Sequence, residues 1–158
     1  MLLYFLRHGD ALTSPSLHDS ERPLSETGVR QSQAAAKFFK SSGAPIDLII
    51  ASPLLRAQQM AEPTRTLLNV KEFFTSEYLV PSADHRQLFD LLNERSEQSV
   101  LLVGHEPFLS EAIALLVAGE KSVHLEMKKA SCACIDTVRP VEKRPGTLKW
   151  LLTVEQMR

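Results

Sequence analysis

A chain of 158 residues, 44% apolar and 23% charged, is long enough to bury a core without disulfides or metals and too apolar to stay disordered. Its net charge of −1 excludes an overall basic field that would gather nucleic acid or an anionic membrane, so any anion site must be local. No apolar run approaches the roughly 20 residues that span a bilayer, and the first apolar stretch lacks a basic leader and is too short for a signal peptide, so a cytoplasmic protein is expected.

Leu2–Leu6 reads as a buried strand running straight into Arg7-His8-Gly9-Asp10. Ser25-Glu26-Thr27-Gly28 opens a helix with an apolar stripe of Val29, Ala35, Ala36, Phe38 and Phe39, ending near Ser42-Gly43. Asp47–Ala51 is the next strand. Leu54–Leu68 is the next helix, with Pro63 expected to bend it or shift its start. Lys71–Thr75 suits an edge strand, and Asp84–Arg95 carries Leu88, Phe89, Leu91 and Leu92 at helical spacing. Ser99–Val103 is a strongly apolar strand, followed by Gly104-His105-Glu106-Pro107 and a helix across Leu109–Val117. After Gly119 the pattern turns strand-like at Val123–Met127, Ala130–Val138 and Thr147–Val154, with Arg139–Gly146 as a polar turn.

Strands and helices in alternation imply right-handed βαβ units. The expected fold class is α/β: one domain over residues 1–158, a three-layer α/β/α sandwich with a mostly parallel central sheet and an antiparallel edge. Cys132 and Cys134, the only cysteines, would share one face of a strand as core residues. A zinc half-site would need a second half, which is absent, so both are read as reduced thiols.

Three polar clusters each follow the carboxyl end of a strand: Arg7-His8-Gly9, then Ser52-Pro53-Leu54-Leu55-Arg56-Ala57, then Gly104-His105-Glu106-Pro107. That edge of an open α/β sheet is where ligands bind. Each residue alone suits a structural or solvated position. Together they bring two arginines and two histidines to one place.

Arginine offers a rigid fork of donors matched to phosphate oxygens. Phosphoryl transfer is mostly positioning and stabilisation of charge on the equatorial oxygens. A neutral imidazole can attack phosphorus and leave again, and a second imidazole can hold a transferring oxygen. Gly9 is expected to let the backbone approach the phosphate without a Cβ in the way. The sequence shows no carboxylate cluster for magnesium, and no cofactor or metal is called for.

The combination of RHG after a first strand, SPLLRAQQMAE around Arg56 and GHEP around His105 resembles the histidine phosphatase superfamily, with its phosphoglycerate mutase-like fold. Within it, the short chain, RHGDA, the segment Glu21-Arg22-Pro23-Leu24-Ser25-Glu26-Thr27-Gly28 and LLVGHEP most resemble the SixA-type phosphohistidine phosphatases. The resemblance implies that His8 is the nucleophile and that Arg7, Arg56 and His105 complete the phosphate pocket. It further implies that Arg22 lies near the phosphate. Inorganic phosphate, sulfate and vanadate are the site ligands it implies.

Mutases and many small-molecule phosphatases of that superfamily carry an acidic proton donor after the third strand. Here the region reads Ser76-Glu77-Tyr78-Leu79-Val80-Pro81-Ser82-Ala83-Asp84. Glu77 sits early and Asp84 looks like a helix N-cap. There is also no room for the helical insertion that covers the site in mutases.

The sequence therefore favours a phosphatase acting on a phosphohistidine-bearing protein, in a phosphorelay or phosphotransferase system. The alternative is a phosphomonoesterase for a small metabolite or for phosphoserine or phosphothreonine, which a functional acid at Glu77 or Asp84 would favour. A catalytically dead phosphate-binding module is the third reading, and the presence of His8 argues against it.

Overall fold

The structure, a computed structural model, describes residues 1–157. Six strands form one sheet: β1 (Leu2–Arg7), β2 (Leu48–Ala51), β3 (Glu72–Thr75), β4 (Ser99–Gly104), β5 (Cys132–Asp136) and β6 (Thr147–Leu152). Their spatial order is β3-β2-β4-β1-β5-β6. The first four are parallel to one another; β5 pairs antiparallel with β1 and β6 antiparallel with β5, which is the expected antiparallel edge. Four α-helices accompany them: α1 (Glu26–Ser42), α2 (Leu55–Leu68), α3 (His85–Glu94) and α4 (Phe108–Ala118).

The central strands are apolar throughout because both faces are covered. Leu3 and Phe5 of β1, with Val100 and Leu102 of β4, pack against α3 and α4. Tyr4 and Leu6, with Leu101 and Val103, pack against α1 and α2. The result is the three-layer α/β/α sandwich read from the alternation of strands and helices. Cys132 and Cys134 share the α1/α2 face as free, buried thiols. No helix among the described residues is long and apolar enough to cross a membrane.

Two local expectations fail for physical reasons. Val123–Met127 is not a strand: β1 is already paired on both sides, and β5 is covered by β6, so the sheet offers no free edge there. Met127 instead turns its carbonyl toward Arg7, 2.7 Å from Nη1. Val29 is 44% exposed, because α1 buries Gly28, Ser32, Ala35, Ala36 and Phe39. Gly28 puts that small side inward: a Cβ there would lie 2.0 Å from the Asp10 carbonyl oxygen. α2 continues through Pro63, which sits inside the helix and does not mark its start.

Candidate active site

β1 delivers Arg7 and, one residue on, His8 at its carboxyl end. Their backbone is pinned from both neighbours: Arg7 N–H donates to Ser131 O at 3.0 Å, and His8 N–H to Gly104 O at 3.1 Å. Ala130 N–H donates back to His8 O at 3.1 Å. Ala130 holds a left-handed φ of 58°, a conformation that costs a side-chain-bearing residue roughly 1–2 kcal/mol.

His8 Nδ1 lies 2.7 Å from Gly9 O. A carbonyl can only accept, so Nδ1 carries the proton and Nε2 keeps its lone pair. Arg56 Nε–H points at that lone pair from 3.4 Å. Burial pushes the His8 pKa down to about 4. The Gly9 bond opposes this, and the charges of Arg56, Arg7 and Arg22 add to it. His8 is therefore a neutral imidazole at pH 7 with its free nitrogen facing guanidinium.

His105 follows β4, the strand paired parallel with β1. It is 2% exposed, and neither ring nitrogen has a hydrogen-bond partner. Its ring centroid is 5.0 Å from that of His8, with an interplanar angle of 56°. Burial, together with the charges of His8 and Arg56, pushes its pKa down to about 3.

Arg56, in the first turn of α2, is 5% exposed. Its Nη1 donates to Asp19 O at 2.7 Å and its Nη2 to Asp19 Oδ2 at 3.1 Å. Arg22 reaches the other carboxylate oxygen, Nη1 to Oδ1 at 2.9 Å, and its Nε donates to Leu12 O at 2.8 Å. Burial pushes Asp19 upward, but hydrogen bonds from Arg56 and Arg22 overcome it and hold the carboxyl below its ordinary range. On the far side, Arg7 Nε is buried without a partner.

The 10–24 loop that carries Asp19 and Arg22 is tied down at its ends. Asp10 accepts from Ser25 Oγ at 2.7 Å and from Lys129 Nζ at 2.6 Å, while Leu24 N–H donates to Gln59 Oε1 at 2.7 Å. Ser25 in turn caps α1, accepting from Gly28 N at 3.1 Å. The loop thus joins β1 to α1 while a tie to Gln59 of α2 holds its end, and it brings Arg22 toward Arg56 through Asp19.

The residues read as the phosphate pocket fall in one neighbourhood: Arg7, His8, Gly9, Arg22, Arg56 and His105. At Gly9 the packing of α1 also requires the absence of a side chain. A Cβ there would meet Gln31 Oε1 at 2.7 Å and Gly28 Cα at 3.1 Å, so the missing side chain makes room for α1, and Gly9 serves the cluster through its carbonyl. Asp19 escaped sequence reasoning; its signal is the D-x-x-R spacing to Arg22, two acidic and basic residues that share one turn.

Of the two candidate acids, Asp84 is occupied as the N-cap of α3, accepting from Arg86 N at 2.9 Å. Glu77 lies on the single helical turn Glu77–Leu79 and, among the described residues, makes no hydrogen bond or ion pair with the histidines or arginines of the cluster. That one turn occupies the stretch between β3 and α3, and no helical insertion stands there.

Residues 3–78 match the model of the histidine phosphatase superfamily (branch 1). The phosphohistidine phosphatase SixA of Escherichia coli (strain K12) is 29% identical over 160 residues, spanning 97% of this chain and 94% of that protein. An uncharacterised protein of Picosynechococcus sp. is 31% identical over 147 residues, 82% of this chain and 81% of its own length. The structure of the protein histidine phosphatase SixA complexed with tungstate covers 100% of both chains with a TM-score of 0.88 and 26% identity. The chain belongs to the histidine phosphatase superfamily.

Proposed function

We propose that this chain is a phosphatase that removes the phosphoryl group from phosphohistidine on a protein, a phosphorelay or phosphotransferase domain, by way of a covalent intermediate on its own His8. It acts as a single domain, in the cytoplasm, with its thiols reduced. The observation that carries the reading is the His8 tautomer: Nδ1–H held by Gly9 O at 2.7 Å, which leaves Nε2 as the nucleophile.

A phosphoryl group enters among Arg7, Arg22, Arg56 and His105, whose donors replace its water. Nε2 attacks phosphorus in line, a P–N bond forms, and the substrate's own P–N bond breaks. Its electron pair returns to the leaving imidazole, which departs neutral when its far nitrogen already carries a proton. The phosphorylated His8 is now cationic, with Nδ1–H still bonded to Gly9 O. Water then attacks phosphorus, the P–N electron pair returns to Nε2, and both of the water's protons stay with the released phosphate, which leaves as the monoanion H2PO4−. His105, its ring nitrogens unpartnered, supplies a donor to the transferring oxygens.

Both half-reactions expel a neutral imidazole, so neither requires a carboxylic acid. Expelling an alkoxide without a proton donor forfeits about 10²–10⁴ in rate. This supports phosphohistidine over phosphoserine or a sugar phosphate. The test is to compare turnover of a phosphohistidine protein with aryl phosphates and phosphoserine, in the wild type and in Glu77→Gln and Asp84→Asn variants. Turnover should rank in that order, with phosphohistidine cleavage barely altered by either variant. Phosphoserine as the better substrate, or loss of phosphohistidine turnover in either variant, would give the site to a phosphomonoester.

A further inference from the structure

A carboxylate inside a cluster built of arginines needs a reason, because it competes with the anion those arginines would otherwise receive. Asp19 takes two donors at one end of the guanidinium. Its backbone oxygen and Oδ2 occupy Nη1 and Nη2 of Arg56, the fork at the far end of the side chain. Left over is the side-on edge that carries Nε–H, and Nε already points at His8 Nε2. With five N–H donors on a rigid plane, gripping one edge fixes where the other edge points. The same carboxylate holds Arg22 through Oδ1, so one side chain sets two arginines that are 34 positions apart in sequence.

Charge gives a second, independent argument. Arg7, Arg22 and Arg56 carry three positive charges, and nearby Lys129 is already paired with Asp10. Asp19 reduces three to two, the charge of a phosphate dianion. Without it, the clamp would hold released phosphate more tightly than turnover requires.

We propose that Asp19 is a positioning residue for phosphoryl transfer, which aims Arg56 at the phosphoryl group on His8 and keeps the clamp from retaining the product. The proposal rests on the reading of His8 and the arginines as the phosphoryl site. It concerns the geometry and charge of the clamp, and Asp19 donates no proton.

The experiment is steady-state kinetics on a phosphohistidine protein, with inorganic phosphate binding measured by calorimetry, for wild type, Asp19→Asn, Arg56→Lys and the double variant. Asn keeps one acceptor and removes the charge. In Asp19→Asn, kcat should fall about tenfold or more, the size of one charge-assisted hydrogen bond. Phosphate should bind about threefold to tenfold tighter, because a like charge has gone. In the Arg56→Lys background the same substitution should change kcat less than about twofold, since the fork it grips is absent. A thermal melt of each variant separates these effects from loss of folding, and Asp19→Ala, which keeps the backbone oxygen, should follow the same pattern.

Unchanged kcat would overturn the proposal. So would phosphate binding that stays equal or weakens, or an undiminished kcat effect in the Arg56→Lys background. If wild-type protein fails to bind phosphate at all, the reading of the site fails first.

Discussion

Two buried histidines flank the start of α4, and the protein treats them in opposite ways. His85 stacks on the Phe108 ring at 4.2 Å with an interplanar angle of 5°, and its Nε2 donates to Phe108 O at 2.9 Å. Glu111 stands 3.6 Å from the same nitrogen. His105, three residues before Phe108 in the chain, has neither ring nitrogen bonded. A buried polar group left without a partner costs roughly 1–3 kcal/mol. His85 is a histidine used as a core residue with its polar edge satisfied. His105 is equally buried, with its ring nitrogens unbonded by the protein. On the proposed reading, the difference separates a histidine that serves stability from one that serves chemistry.

The widest separation should come from changing each to leucine. His105→Leu should lower turnover by about 10²–10³, the usual cost of one donor to a transferring oxygen, while its melting temperature stays level or rises. Equal activity in that variant would remove His105 from the phosphate pocket. His85→Leu should do the reverse. It loses a satisfied hydrogen bond and the stacked ring contact with Phe108, so stability should drop by about 1–3 kcal/mol, with turnover within about tenfold. Chemical denaturation of the two variants side by side checks both statements.

A smaller effect sharpens the comparison through pH. His8 and His105 stay neutral in the folded protein down to about 4 and about 3, whereas an unfolded histidine titrates near 6.5. Below 6.5 the unfolded chain therefore binds protons that the folded chain refuses. Stability should be full above that pH and fall as pH drops toward 4, by up to about 1.4 kcal/mol per unit for each histidine. His85, its pKa lowered by burial, adds to the same trend. His105→Leu should flatten the slope, and saturating phosphate should flatten it too, because the anion favours a charged imidazole. A melting temperature that is level between pH 6.5 and 4.5 would contradict the assignment of neutral, desolvated histidines.

What the sequence discloses follows the same division. His8, Arg56 and His105 are legible because each comes just past an apolar run, and a parallel sheet sends all such ends to one edge. The strands themselves are legible because a sheet covered on both faces needs unbroken apolar segments. Val123–Met127 has the alternation of a strand, yet a strand also needs a partner, and the edges beside β1 and β5 are filled. Val29 looks like part of the stripe on α1, but the side of the helix that closes on Asp10 is chosen by Gly28, where only a hydrogen fits. Asp19 was hidden because the 10–24 loop has no periodicity, and its place beside Arg56 is set by ties to Ser25, Lys129 and Gln59 that are remote in sequence.

The central claim is that His8 Nε2 takes the phosphoryl group. Rapid acid-free quench of the wild-type enzyme with a radiolabelled phosphohistidine protein should trap label on His8 as an acid-labile, base-stable adduct, located by peptide mapping. His8→Ala should trap none and lose nearly all turnover, since the ring that takes the phosphoryl group is gone. Label on a serine, or turnover that survives in His8→Ala, would contradict the account.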